Sequence, residues 1–230
     1  MNDGPMILLL AGARETQQAA TALKQCGVPC CAVWARGADR DALCVPVVSD
    51  IPDQVVGILD ATHAFDTDTR SSIVADLPGV SYARFGRDPW SAQAADTWTE
   101  VDGIDAAVAA LPPGARVFAA TGRGSLPALA RHDGPVFLRQ LSRHDAETGH
   151  ENCSYVFGTA PFDPEGEAAL FKELAIDVVL ARNIGGQGSF PKLMAARMLG
   201  LPVVLLRPPA LPQGPHLRDP DDVVRWAHSL

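Results

Sequence analysis

The chain has 230 residues, 47% of them apolar, and a formal net charge of −8. This length suits one large domain or two small ones, and the apolar content supports a packed core rather than intrinsic disorder. The acidic balance argues against nucleic acid as the main partner, and the apolar runs are too short to cross a bilayer, so we expect a cytoplasmic protein without membrane partners.

Predicted strands and helices alternate along the chain. In chain order, the first half has a strand at 6–12, a helix at 15–26, strands at 29–35 and 55–59, a helix at 67–77, a strand at 80–85 and a helix at 103–111. A Pro-Pro-Gly sequence at 112–114 then breaks the pattern. The second half has a strand at 116–120, a helix at 126–131, strands at 136–139 and 154–157, a helix at 164–174, a strand at 178–181, a helix at 192–199, a strand at 203–206 and a helix at 220–229 capped by Asp219.

This alternation is typical of parallel sheets that carry helices on their faces. The sequence therefore predicts an α/β fold of two Rossmann-like lobes, residues 1–113 and 114–230, each built on a parallel sheet. Because ligands bind beyond the carboxyl ends of such strands, we expect an active-site cleft between the two lobes.

A polar cluster follows the apolar strand at 55–59. It places Asp60, Thr62 and His63 on one short loop, and we interpret these three as candidate catalytic residues. His63 is the candidate proton donor because imidazole titrates near neutral pH, and the alternative is that it only orders its loop. Asp60 has an alternative role as a cap, and Thr62 has a second role as a donor to the cofactor.

The turn after the first strand predicts a nucleotide site. It contains Gly12, Ala13, Arg14 and Glu15, which is an incomplete form of the GxGxxG fingerprint followed by a helix N-terminus that favours phosphate. Arg36 follows the second strand, where an arginine suits the 2′-phosphate of NADPH. The alternative is a solvated arginine that pairs with Asp39 or Asp41.

Cations and small residues recur in the loops that follow the later predicted strands. The chain has sixteen arginines among its 19 basic residues, and arginine binds carboxylates through paired hydrogen bonds. The turn with Gly122 and Arg123 suits a cofactor phosphate or a substrate carboxylate. The candidate substrate-binding residues are Arg84, Arg87, Trp90, Ser125, Arg139, Arg182, Asn183, Gly186 and Lys192. The alternatives are surface ion pairs for the cations and a core role for Trp90.

These motifs, in this order and spacing, resemble the precorrin-6A reductase family over nearly the full length. The motifs are the turn at 12–15, the loop at 60–63 with Phe65, Arg84 with Arg87 and Trp90, the turn at 121–123, Gly158 with 161–162, Asn183 with 185–186, Lys192, the alanines at 195–196 and the pair at 207–208. The chain departs from the family pattern at Ala64, Asp66 and the 11–13 turn. It also has Arg182 where a lysine is common, which puts a catalytic-acid role for Arg182 in doubt.

The resemblance implies hydride transfer from NADPH to one carbon–carbon double bond of the precorrin-6A macrocycle, in cobalamin biosynthesis, giving precorrin-6B. It implies an anionic tetrapyrrole as substrate and neighbouring pathway enzymes as candidate partners. Hydride transfer requires no metal, and the sequence shows no metal-binding constellation. Two alternatives stay open: an NADPH reductase of another anionic conjugated substrate, and a nucleotide-binding sensor without turnover.

Overall fold

Two separate parallel sheets organise the computed structural model, which describes residues 4–36, 38 and 40–230. The chain divides into a first unit, formed by the described residues up to Asp88 together with Pro209–Leu230, and a second unit, Pro89–Pro208. Asp39, one of the two acids considered as partners of Arg36, lies outside the described residues. No helix in the described part of the chain has the length and apolarity that a membrane crossing requires.

The first unit contains a five-stranded parallel sheet in the order β11-β4-β3-β1-β2. Its elements are β1 Met6–Ala11, α1 Glu15–Gln25, β2 Cys30–Trp34, β3 Val55–Ala61, α2 Asp68–Asp76, β4 Ser81–Phe85, β11 His216–Leu217 and α7 Pro220–Ala227. Side chains of β1 alternate between two apolar clusters, with Ile7 and Leu9 in one and Leu8 and Leu10 in the other. This central strand is therefore buried on both faces, as expected for a helix-covered parallel sheet.

The second unit contains a six-stranded parallel sheet in the order β5-β10-β9-β6-β7-β8. Its elements are β5 Trp98–Val101, α3 Gly103–Ala109, β6 Val117–Ala120, a 3₁₀ turn Arg123–Ser125, α4 Leu126–Leu129, β7 Val136–Gln140, β8 Cys153–Phe157, α5 Pro164–Glu173, β9 Val178–Arg182, α6 Pro191–Leu199 and β10 Val203–Leu206. The predicted α/β class with two parallel-sheet lobes is confirmed, whereas the cleft between the lobes stays a prediction.

The structure corrects the domain boundary predicted at residue 113. Strand β5 lies before that boundary but pairs with β10, so it belongs to the second sheet. Strand β11 lies near the end of the chain but pairs with β4, so it belongs to the first sheet. Both strands are short and at sheet edges, and the sequence analysis predicted neither. The chain therefore passes between the units after Asp88 and again after Pro208.

The N-terminus of α7 provides a test of the predicted cap. The Asp219 carboxylate accepts the Asp222 N–H at 2.8 Å, as the sequence predicts. We expect Asp219→Ala to lower the free energy of unfolding of the first unit by about 1 kcal/mol, measured by chemical denaturation, because an unpaired helix N–H is left behind. Asp219→Asn retains a side-chain acceptor and serves as the control. Equal losses in the two variants would contradict the cap.

Candidate active site

In the first unit, the loops after β1 and β3 meet at the carboxyl edge of the sheet. Strand β1 has β2 on one side and β3 on the other, so the chain order reverses at this point, where open α/β sheets bind ligands. A Cβ atom on Gly12 would lie 3.0 Å from Ala35 Cβ and 3.4 Å from Thr62 Cα. This close approach explains why a glycine follows β1.

The first two N–H groups of this turn are used within the unit. The Gly12 N–H donates to Thr16 Oγ1 at 3.0 Å, and the Ala13 N–H donates to the Ala61 carbonyl at 3.0 Å. Thr16 Oγ1 in turn donates to the Ala61 carbonyl at 3.1 Å. These contacts fix the turn against the end of β3 and leave Arg14 as the exposed residue where α1 begins.

Arg36 lies at the same edge of the sheet as this turn. Ala11 pairs with Trp34 in the register of β1 and β2, so the residues that follow these two strands are neighbours at the carboxyl edge. The Arg36 side chain is exposed, and its backbone N–H donates to Thr69 Oγ1 at 3.2 Å. Arg14 and Arg36 thus give this edge two exposed cations.

Asp60 is completely buried, and five hydrogen-bond donors surround its carboxylate. Oδ1 accepts the Thr62 N–H at 2.9 Å, the Thr62 hydroxyl at 2.7 Å and Arg84 Nη1 at 2.8 Å. Oδ2 accepts Arg70 Nε at 2.5 Å and the Tyr82 hydroxyl at 2.7 Å. A carboxylate so fully bonded is suited to hold the loop rather than to exchange protons. The structure shows that Asp60 positions the loop, and its predicted catalytic role stays a prediction.

The pKa values of this cluster follow from its charges. Burial alone would raise the pKa of Asp60, but the charges of Arg84 and Arg70 outweigh it and hold the pKa below its ordinary value. Burial and the Asp60 charge raise the pKa of Tyr82. Asp60 is therefore ionised and Tyr82 neutral at physiological pH.

Arg84 is buried within the first unit, although the sequence predicts it as a substrate ligand. Besides its ion pair with Asp60, it donates from Nη2 to the Thr62 carbonyl at 2.7 Å. Asp60 and Arg84 are opposite each other in the register of β3 and β4, which explains why they meet. The guanidinium supports the loop after β3, and the predicted contact of Arg84 with the substrate stays a prediction.

His63 and Phe65 lie on the loop that Asp60 holds. The Phe65 N–H donates to His63 Nδ1 at 3.2 Å, so the neutral ring carries its proton on Nε2. The two rings are 6.1 Å apart, and the His63 carbonyl accepts the Asp66 N–H at 2.9 Å. The contacts of its own loop therefore hold the half-buried imidazole in one neutral tautomer.

Two further predicted site residues, Glu15 and Arg87, form an ion pair. Glu15 lies in the first turn of α1, and Arg87 follows β4. Arg87 Nε lies 2.7 Å from Glu15 Oε1. The pair therefore links the loop after β4 to the start of α1, and it neutralises a carboxylate that would repel a bound phosphate.

In the second unit, the loops after β6 and β9 meet in the corresponding way. Strand β6 lies between β7 and β9, so the chain order reverses beside it. A Cβ atom on Gly122 would lie 3.6 Å from both terminal nitrogens of Arg182, so the guanidinium covers this turn. Ser125 fixes the turn through its hydroxyl, which donates to the Gly122 carbonyl at 2.6 Å. Arg123, at the start of the 3₁₀ turn, is exposed.

Asn183 holds Trp90 through both ends of its side-chain amide. Its oxygen accepts the Trp90 N–H at 2.7 Å, and its nitrogen donates to the Trp90 carbonyl at 2.9 Å and to Glu100 Oε1 at 3.2 Å. The Trp90 indole N–H donates to the Gly186 carbonyl at 2.9 Å. Asn183 is almost fully buried and positions Trp90, while its predicted contact with the substrate stays a prediction.

Lys192 is a half-buried cation at the start of α6. Its ammonium donates to the Ser189 carbonyl and lies 5.6 Å from the centre of the Trp90 ring. Burial lowers the pKa of Lys192 to about 8, Glu167 opposes this shift and Arg139 adds to it. Burial also lowers the pKa of Arg182. The buried ammonium of Lys192 is therefore a group whose charge a bound anion would stabilise.

Arg139 is enclosed by aromatic rings and a carboxylate. Its guanidinium carbon lies 5.0 Å from the Phe118 ring centre and 4.5 Å from that of Phe162, and Nη2 lies 2.6 Å from Glu167 Oε1. A Cβ atom on Gly158 would overlap Arg139 Nη1, so the glycine makes room for this side chain. Arg139 thus has a protein partner in Glu167, and its predicted contact with the substrate stays a prediction.

The structure brings together most of the predicted residues, in two groups. The first unit gathers the turn at 12–15 and the loop at 60–65, and the second gathers the residues after β6 and β9 with Trp90 and Lys192. The sequence analysis did not identify Arg70, Tyr82 and Glu167 as members of these clusters. Tyr82 could have been found by strand alternation, because it lies two residues before Arg84 on β4. No local pattern marked the other two.

Comparisons with known proteins match this chain to one family. The model of the family described as "Precorrin-6x reductase CbiJ/CobK" matches residues 52–228. Precorrin-6A reductase of Rhodobacter capsulatus is 38% identical over 175 residues, 74% of this chain and 69% of that protein. The Rhodococcus erythropolis protein of that name is 32% identical over 200 residues, 84% of this chain and 78% of that protein. A solved structure, "CobK precorrin-6A reductase", has a TM-score of 0.80 and 32% identity, covering 98% of this chain and 96% of its own.

Proposed function

Because the chain belongs to the precorrin-6x reductase family, we propose that its first unit binds NADPH and that its second unit binds carboxylates of precorrin-6A. The chain is an oxidoreductase that reduces a carbon–carbon double bond of precorrin-6A in cobalamin biosynthesis, and it uses a nicotinamide cofactor.

The edge formed by β1 and β2 fits a dinucleotide that carries an additional phosphate. Gly12 permits close packing of the turn against Thr62, and α1 begins directly after it with Arg14 and Glu15. The exposed Arg36 occupies the position where folds that prefer NADH carry an acid for the ribose hydroxyls. These observations support NADPH, which supplies the hydride when it is bound.

The cations of the second unit fit a substrate with many carboxylates. Arg182 covers the Gly122 turn, and both Arg182 and Lys192 have pKa values lowered by burial. The burial of the Lys192 ammonium beside Trp90 is the single observation that carries the substrate assignment, because a bound carboxylate would stabilise its charge. Arg123 and Ser125 lie on the same turn and stay candidates for contact with an anion.

His63 stays the proposed proton donor, with Thr62 and the buried Asp60 as its supports. The neutral ring accepts the Phe65 N–H at Nδ1, so proton donation from Nε2 requires that this contact open and that Nδ1 first take up a proton. The hydrogen bonds of Asp60 hold the loop after β3, so that the His63 ring keeps one position and, when neutral, one tautomer. Asp60 itself contributes position and not a proton.

Replacing Arg36 tests the cofactor assignment. We expect Arg36→Ala to raise the KM for NADPH about 10- to 100-fold and to leave the KM for NADH unchanged, because one charge-assisted contact to the 2′-phosphate is lost. The assay follows nicotinamide oxidation with enzymatically prepared precorrin-6A and identifies a product heavier by two hydrogens.

Arg40→Ala is the matched control, since Arg40 is an exposed arginine of the same segment. Equal effects of Arg36→Ala on the two nicotinamide cofactors would contradict the role of Arg36. Binding of NADPH without its oxidation by precorrin-6A would favour a sensor, and oxidation by a smaller conjugated anion alone would favour another substrate.

A further inference from the structure

The turn after β1 offers few backbone donors to an anion. In dinucleotide-binding folds, free N–H groups of this turn and of the following helix hold the pyrophosphate. Here the N–H groups of Gly12 and Ala13 donate to Thr16 and Ala61, inside the unit. A cofactor bound at this turn, as proposed above, therefore needs positive charge from another source.

A surplus of positive charge is buried directly below the neighbouring loop. Arg70 and Arg84 share one carboxylate, Asp60, and all three residues are at most 7% exposed. Tyr82 completes the cluster as a neutral hydrogen-bond donor. The charges that act on Asp60, Arg70 and Tyr82 all come from within this cluster. Two cations and one anion leave one positive charge without compensation.

The hydrogen bonds of Arg70 reflect this excess of positive charge. Its Nε donates to Asp60 and its Nη2 donates to Thr62 Oγ1 at 3.3 Å, whereas its Nη1 is buried and has no hydrogen-bond partner among the described residues. A buried guanidinium nitrogen without an acceptor is costly, and native folds rarely retain one without a reason. Its side chain is only 2% exposed, so its charge acts on a ligand across a short distance rather than by contact.

One residue, Thr62, lies between the Arg70 side chain and the turn after β1. Arg70 contacts the side chain of Thr62, and Thr62 Cα would lie 3.4 Å from a Cβ atom on Gly12. The cluster is buried, so its charge is weakly screened and extends to the carboxyl edge of β1 and β3.

We propose that Arg70 supplies a buried surplus of positive charge that strengthens binding of the cofactor's pyrophosphate beside the turn after β1. The proposal rests on the assignment of the cofactor to the first unit. It makes Arg70 a positioning residue that acts through Thr62 and through its electric field, in addition to the N–H groups of the turn, of which those of Gly12 and Ala13 are used within the unit.

The test compares two variants, each of which alters one hydrogen bond to Asp60 Oδ2. Arg70→Gln removes the charge but keeps an amide donor for Asp60, and Tyr82→Phe removes a hydrogen bond to Asp60 Oδ2 without a change of charge. Calorimetric titrations of the full chain with inorganic pyrophosphate and with NADP⁺ are made at low and at high ionic strength. Arg70→Lys, which keeps the charge, tests rescue, and the thermal unfolding of wild type with pyrophosphate gives a readout that needs no variant.

We expect Arg70→Gln to weaken both ligands about tenfold at low ionic strength and to show a shallower salt dependence. Tyr82→Phe should stay within about twofold of wild type, Arg70→Lys should recover most of the affinity, and pyrophosphate should raise the Tm of wild type. The proposal would be overturned if Arg70→Gln and Tyr82→Phe weakened ligand binding equally. It would also be overturned if Arg70→Gln raised the KM for precorrin-6A and left the affinity for NADP⁺ unchanged. Absence of NADP⁺ binding to wild type would instead overturn the proposed function.

Discussion

Asp60→Asn is expected to lower the free energy of unfolding of the first unit by about 3–5 kcal/mol, because it leaves two buried arginines without a counter-charge. An asparagine offers one acceptor oxygen and turns an NH₂ group toward donors that previously met a carboxylate. Chemical denaturation of the full chain measures the loss, and activity should fall with it because the loop that carries His63 loses its support.

Asp102→Asn is the matched control for this prediction. Asp102 also pairs with an arginine, Arg207, but its side chain is 81% exposed. Exposed ion pairs contribute little, so the control should stay close to wild type. If the two variants were equally stable, the buried network would not hold the loop.

The same carboxylate predicts a dependence of stability on pH. The pKa of Asp60 is lower in the folded chain than in the unfolded chain, because the charges of Arg84 and Arg70 outweigh the effect of burial. Its contribution is therefore fully present above the unfolded pKa of about 3.9 and is lost as the pH falls through the folded value. Asp60→Asn should flatten the acid limb of the stability profile.

Glu167→Gln is the second substitution with a large expected effect. Glu167 is the buried partner of Arg139, and removing its charge leaves that arginine unpaired between two aromatic rings. We expect the free energy of unfolding of the second unit to fall by about 3–5 kcal/mol. Glu173→Gln, at the exposed end of the same helix, is the control and should change little.

Glu167→Gln should also change the pH dependence of substrate binding. Burial lowers the pKa of Lys192 to about 8, and the Glu167 charge opposes that shift, so the variant should have a still lower value. Protonated Lys192 attracts a carboxylate, so binding is strong below this pKa and weakens as the pH rises through it. The KM for precorrin-6A should therefore begin to rise at a lower pH in the variant than in wild type. An unchanged pH profile would show that Lys192 does not contact the substrate.

Local patterns predicted most of the fold but few of the side-chain partnerships. Strands such as β1 and β3 are continuous apolar runs, and the helix that begins at Pro220 has an aspartate cap, so their positions follow from the sequence. Strands β5 and β11 have four and two residues. They form strands only because β5 pairs with β10 and β11 pairs with β4. These partners are distant in the sequence, and no local pattern predicts the pairing.

The site shows the same division between local and distant determinants. Strand ends predicted that Thr62, His63 and Gly122 lie at carboxyl edges of the sheets. They did not predict that Arg84 pairs with Asp60 or that Arg139 pairs with Glu167. No local sequence pattern distinguishes an arginine that binds a ligand from one that binds a buried carboxylate. Arg70 was missed because its partner is ten residues away on another element.

Strand β11 is made near the end of the chain but pairs in the first sheet. This pairing affects the order in which the units can fold during synthesis. The first sheet remains open along β4 until residues 215–217 have left the ribosome, since Arg84 and Gly86 donate their backbone N–H groups to the carbonyls of Pro215 and Leu217. The second unit ends at Pro208 and has all its strands before that moment. The segment made first is therefore completed last, and until then the unpaired edge of β4 is open to pairing with another strand.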